Sequence, residues 1–161
     1  HEHHDEHDHD HHHHDDLVHD HNHHDELHSH HHTIEVSAST WDGIIGGDEH
    51  VWAVKFHSAM CSSCQAFAPE WEAAREALDG LHWAAVNIDH KENIALAKRF
   101  GVLQEGIPNV KLINAAEMPL PVITGDVVKA DAVVAAIRDA LSSVDAKLVD
   151  GYYVSHSKGE L

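Results

Sequence analysis

Basic residues, cysteines and long apolar runs are all scarce in this sequence, and each scarcity excludes something. Ten Lys and Arg residues stand against 28 Asp and Glu, for a formal charge of -18 at pH 7 with His neutral. The basic residues form no cluster, which argues against nucleic acid or an anionic membrane as a partner. No apolar run approaches the roughly 18 residues that a bilayer requires, so no membrane span is expected. There are only two cysteines, Cys61 and Cys64. A framework of structural disulfides is therefore excluded, and cysteine usage says nothing about the compartment. The chain begins at His1 with no methionine and no signal-like segment, as expected of a processed or recombinant form.

What is abundant is histidine, and it is concentrated at one end. Residues 1–32 hold 17 of the 22 histidines and 10 of the 28 acidic residues, with Leu17, Val18 and Leu27 as their only aliphatic side chains. Such a segment buries too little apolar surface to offset its ordering entropy and is expected to be disordered. The interspersed acids distinguish it from a plain histidine tag. His3, His4, His11, His12, His13, His14, His23, His24, His30, His31 and His32 can ligate Zn, Cu or Ni in many alternative sets, weakly and without a unique geometry. The segment is expected to pass from about -10 to about +7 as imidazoles protonate near pH 6.5, losing metal over the same interval.

The remaining residues suffice for one domain of ordinary size. Its organising stretch is residues 51–78. Residues 51–56 form a short, nearly continuous apolar run, as in a parallel strand covered on both faces, interrupted by Lys55. Phe67, Trp71, Ala74 and Leu78 then recur at steps of four, three and four, which predicts one buried face of a helix. Cys61 and Cys64 fall in its first turn. Unpaired backbone N–H groups and the positive end of the helix dipole favour a thiolate there, and CxxC cysteines so placed as a class ionise at roughly 3.5 to 7.5. The spacing also matches half of a zinc finger, but no second CxxC follows, and His82 and His90 stand at spacings of no common finger.

The same residues resemble the thioredoxin superfamily, and within it domains of the protein disulfide isomerase type. Cys61-Ser62-Ser63-Cys64 matches the CxxC, and Ala68-Pro69-Glu70 matches the Ala-Pro-Glu that follows it, with Pro69 at the family's helix kink. Val86-Asn87-Ile88-Asp89 looks like the third core strand. Phe100-Gly101-Val102 and Gly106-Ile107-Pro108 resemble the approach to the family's cis-proline. The resemblance covers residues 33–144 and implies an α/β thioredoxin-like fold, a central mixed β-sheet flanked by helices. It also implies thiol-disulfide exchange, with Cys61 attacking, Cys64 resolving, Ile107 and Pro108 binding substrate and no cofactor required. The implied partners are cysteine-containing client proteins, with glutathione or an oxidase as redox partner.

Several positions depart from the family pattern. Ser62 and Ser63 lack the usual histidine, which implies a less oxidising pair, and Ala59-Met60 replaces Pro-Trp with a more flexible surface. The segment 102–106 is about two residues longer than usual. Lys55 occupies the position of the family's buried acid, and Ala85 that of its companion lysine. A buried neutral Lys55 could accept the resolving thiol's proton; alternatively its head group snorkels to solvent and resolution is slower.

Elsewhere the pattern predicts strands at 33–39, 83–88, 109–113 and 120–124 and helices at 40–45, 93–100 and 129–143. Residues 145–161 read as a loose tail, with Tyr152 and Tyr153 the candidates for docking back. Its last residues, Lys158-Gly159-Glu160-Leu161, resemble the tetrapeptide read by the retention receptor of the endoplasmic reticulum, with Gly159 for Asp. The internal His24-Asp25-Glu26-Leu27 is expected to be inert. Two functions are compatible with these features: a disulfide oxidoreductase or isomerase of the endoplasmic reticulum lumen, or a metal-buffering or pH-sensing luminal protein whose domain holds clients.

Overall fold

A computed structural model describes residues 32–155. Among the described residues there are seven strands: β1 (Thr33–Glu35), β2 (Trp52–His57), β3 (His82–Asn87), β4 (Asn109–Ile113), β5 (Leu120–Thr124), β6 (Lys147–Val149) and β7 (Tyr152–Val154). The helices are α1 (Ser62–Ala77), α2 (Ile94–Arg99), α3 (Val102–Glu105) and α4 (Ala130–Ser143). A π-helical turn, Asp42–Gly46, lies between β1 and β2. The first five strands form one sheet in the order β1-β3-β2-β4-β5. β3 runs parallel to both β1 and β2, whereas β4 is antiparallel to β2 and β5. This is the thioredoxin-like mixed sheet.

Both faces of the sheet are covered, which explains why β2 is apolar nearly throughout. Val51, Ala53, Trp83, Val110 and Leu112 pack with Phe67, Trp71 and Ala74 of α1 and with Val133, Ile137 and Leu141 of α4. On the other face Val54, Phe56, Ala84 and Val86 pack with Trp41, Ile45, Ala97 and Val102. Strand alternation thus sends Lys55 to the α1 side with Ala53. Burying Trp71 and Trp83, both essentially inaccessible and edge-to-face at 5.3 Å, ties α1 to β3. Truncating either to Ala in such a setting costs about 3–5 kcal/mol.

The strands at 109–113 and 120–124 fall where the sequence places them. Elsewhere the boundaries move. The stretch 93–100 is a 3-10 turn, Lys91–Asn93, followed by α2, and the residues that enter the core are Leu96 and Ala97, with Ile94 half-buried. The reason is Asn93, a buried polar residue whose side chain donates to the Asn87 carbonyl and accepts the Ala38 N–H, turning the chain before α2 begins. The longer segment after Gly101 closes into α3.

Residues 145–155 are not a loose tail. β6 and β7 pair as an antiparallel hairpin, and β7 docks on the domain through Val51 N–H to the Tyr153 carbonyl (3.0 Å) and Tyr153 N–H to the Gly80 carbonyl (2.8 Å). A bridge between His50 and Val154 extends the contact. The sequence pattern misses this because each strand is only three residues long and its anchors lie about seventy or more residues away.

Candidate active site

β2 delivers the chain to the candidate site at its C-terminal end. The turn after it is fastened from β3's far end by one carboxylate: Ser58 Oγ donates to Asp89 Oδ1 (2.6 Å) and the Ala59 N–H to Asp89 Oδ2 (2.9 Å). These two bonds hold the Asp89 carboxyl below the usual range. Gln65 Nε2 donates to the Ala59 carbonyl from the first turns of α1 (2.8 Å). Asp89 and Gln65 are the positioning residues that sequence reasoning missed; the signal for Asp89 was its place at the end of the third core strand.

Cys61 is the residue that caps α1, with extended backbone (φ -98, ψ 115), rather than a member of its first turn. Its Sγ accepts the Cys64 N–H at 3.2 Å, taking up one of the unpaired donors that every helix start leaves. Cys61 is half-buried, while Cys64, the third residue of α1, is 6 % exposed. The two thiols are free. Ser62 is exposed, Ser63 half-buried, and Met60 stands out at 84 % exposure. Burial, reinforced by the hydrogen bond with Cys61, pushes the Cys64 thiol up to about 11, so the low range of CxxC chemistry in general does not extend to this cysteine.

The Ile107–Pro108 peptide is cis. The Cys61 thiol faces the Ile107 carbonyl at 3.9 Å, so the segment before Pro108 and the first cysteine are brought together across 46 residues of chain. Pro108 is buried and Ile107 half-buried. Beneath this segment Lys111, 3 % exposed, donates to Glu105 Oε1 (2.6 Å), which also accepts from Asn109 Nδ2 (3.0 Å). These bonds hold the Glu105 carboxyl low and fasten the end of α3 to β4.

Lys55 is half-buried, pairs in register with Ala85, and carries its Nζ 5.2 Å from the centre of the Trp71 ring. Burial lowers its pKa, while Glu72, Glu35 and Cys64 pull it back up. The ammonium is therefore neither fully solvated nor sealed away, and it lies within electrostatic reach of Cys64. His32, the one described histidine of the N-terminal segment, is exposed. The other tail histidines and residues 158–161 lie outside the described residues. His82 and His90 do not approach the cysteines in any hydrogen bond or ligand-like cluster among the described residues.

Comparison with known proteins agrees with this architecture. The family model described as Thioredoxin matches residues 32–139. Sulfhydryl oxidase 1 of Homo sapiens is 32% identical over 84 residues, covering 50% of this chain and 11% of its own length. The protein disulfide-isomerase A6 homolog of Drosophila melanogaster is 31% identical over 83 residues, covering 51% and 18%. Protein disulfide-isomerase 2-3 of Arabidopsis thaliana is 32% identical over 79 residues, covering 48% and 17%. The match thus spans less than a fifth of each of these relatives. Among solved structures, the J-Trx1 fragment of ERdj5 superposes with a TM-score of 0.56 at 23% identity, covering 68% of this chain and 52% of that one. The zinc-bound form of human ERp44 gives 0.53 at 20% identity, covering 67% and 31%. The chain belongs to the thioredoxin family, with relatives among the protein disulfide isomerases.

Proposed function

We propose that this thioredoxin-family chain is a thiol-disulfide oxidoreductase or isomerase of the secretory pathway that exchanges disulfides with client proteins. The observation that carries the reading is the juxtaposition of a half-buried Cys61, a buried Cys64 bonded to it, and the Ile107 carbonyl 3.9 Å from the first sulfur. A nucleophile must reach a client, and the thiol that resolves the intermediate must not; the two exposures divide those roles.

In the reducing direction the Cys61 thiolate attacks one sulfur of a client disulfide. The S–S bond breaks, Cys61 becomes joined to the client, and the client's other sulfur leaves as a thiolate that takes a proton. Cys64 then loses its proton and attacks Cys61 Sγ, forming the Cys61–Cys64 disulfide and releasing the second client thiol. Two electrons pass to the client; the reverse sequence oxidises it. With Cys64 at about 11, few molecules carry its thiolate at neutral pH, so the second attack is the step most in need of help. Lys55 supplies some: its positive charge favours the Cys64 thiolate. The backbone before the cis Pro108, with the Ile107 carbonyl beside Cys61 Sγ, is where an unfolded cysteine-containing segment would pair like an added strand. The isomerase and sulfhydryl oxidase names of the relatives support protein thiols and disulfides as substrates; glutathione or an oxidase is the redox partner we propose, and the endoplasmic reticulum lumen the compartment.

The test is trapping. Cys64→Ala accumulates mixed disulfides between Cys61 and clients, visible as high-mass bands that collapse on reduction, whereas Cys61→Ala accumulates none. Equal trapping by both variants would show the roles to be misassigned, and trapping by neither would remove the exchange reading.

A further inference from the structure

We propose a second site at the other end of the sheet, where His50, His82 and Asp48 bind a zinc-class divalent cation independently of the cysteines. His50 lies two residues before β2, and His82 opens β3, which runs parallel to β2. Both therefore sit at the N-terminal ends of parallel strands, while Cys61 follows the C-terminal end. The six residues of β2 separate the two ends by about 20 Å at roughly 3.3 Å per residue.

His50 Nδ1 and His82 Nε2 face each other at 2.9 Å. One of the two nitrogens must be a bare acceptor for that contact to be a hydrogen bond, so the pair shares a single proton between two converging lone pairs. Replacing this proton by a metal ion keeps both nitrogens engaged. Ligand atoms on a tetrahedral zinc lie about 3.3 Å apart for bonds of roughly 2.0–2.1 Å, so a small spreading of the rings accommodates the ion. A carboxylate oxygen of Asp48 lies within 4.8 Å of a ring nitrogen of each histidine, completing a two-histidine, one-carboxylate set. The Trp52 indole N–H donates to Asp48 Oδ2 at 2.8 Å and orients that carboxylate, the kind of outer bond that metal ligands commonly carry.

The rings are also held in place. Tyr152 of the hairpin stacks on His82 (4.2 Å, 12°) and on His50 (4.8 Å, 14°), and Trp52 stacks on His82 (4.7 Å, 26°). All three ligand residues are half-buried, open enough for an ion to enter with water in the fourth position. Imidazole nitrogen with carboxylate oxygen suits zinc or copper(II) rather than magnesium or calcium.

The test uses the full chain, labelled with nitrogen-15 and titrated with zinc chloride beyond saturation of the N-terminal histidines. The expected result is that the facing imidazole nitrogens of His50 and His82 shift together and to the same extent whether Cys61 and Cys64 are reduced or joined. Replacing His82 by Phe, which keeps the aromatic stack, abolishes the His50 shift, and Asp48→Asn weakens the site at least about tenfold, the least that loss of even an outer partner of a metal ligand costs. Imidazole signals that stay unmoved in the unmutated protein at saturating zinc would overturn the proposal. So would a His50 shift that persists in His82→Phe, or one that vanishes on oxidation of the cysteines.

Discussion

Lys55 shows how one residue changes the chemistry of another without touching it. Its ammonium lies over Trp71 and favours the Cys64 thiolate, yet burial of Cys64 outweighs this and leaves the thiol at about 11. Lys55→Met keeps the length and removes the charge, so the Cys64 thiol rises further. At pH 8 the release of a client from Cys61 is then expected to slow several-fold, and the pH at which release accelerates moves upward. Stopped-flow release of a fluorescent peptide, measured from pH 6 to pH 10, checks both. An unchanged rate and profile would mean that the Lys55 charge does not reach Cys64. Sequence comparison alone marks position 55 as unusual; it does not tell how deep the lysine lies, because that depends on Trp71, Glu35 and Glu72 arriving from β1 and α1.

At the scale of elements, the docked hairpin depends on a glycine. Gly80 holds φ +94, and a Cβ there would meet Leu148 Cδ2 at 2.8 Å and Tyr153 Cε2 at 2.9 Å. Gly80→Ala therefore combines a left-handed backbone, unfavourable by about 1–2 kcal/mol for a residue with a side chain, with a clash against both hairpin strands. The expected outcome is a melting temperature several degrees lower and faster amide exchange at Tyr153, read by hydrogen-deuterium exchange. Exchange at Tyr153 that is no faster than in the parent would show that the hairpin docks without this close approach. The contrast with β4 and β5 explains what the sequence reveals. Those strands are five residues each, bounded by turn residues, and were legible from local pattern. The cysteines, Ile107 and Pro108 were legible as a motif, and their meeting follows from the family topology. The docking of the hairpin, the Asp89 clamp and the His50–His82 pair were not, since each joins residues 30 or more positions apart whose local patterns are ordinary.

The whole molecule adds a field to these local sites. The chain carries a formal charge of -18, and under the proposed function it meets its clients by diffusion, so cationic clients approach faster than anionic ones. The effect is one of encounter and is screened by salt. At about 0.01 M salt, where the Debye length is about 30 Å, a Lys-rich cysteine peptide is expected to exchange several-fold faster than an Asp-rich peptide of equal length. At about 1 M, where it is about 3 Å, the two rates converge. The histidines make the preference depend on pH as well. Adding 22 positive charges to -18 gives +4, and imidazoles as a class take up their protons around pH 6.5. His57 and His82, whose burial lowers their pKa, follow only at lower pH. The preference for the cationic peptide therefore shrinks between pH 7.5 and pH 5.5 at low salt. The reaction chemistry slows for both peptides alike over that range, so the ratio of the two rates isolates the charge effect. A ratio that holds constant from pH 7.5 to pH 5.5 would place the selectivity in fixed carboxylates near Cys61 instead of in the histidine-bearing whole.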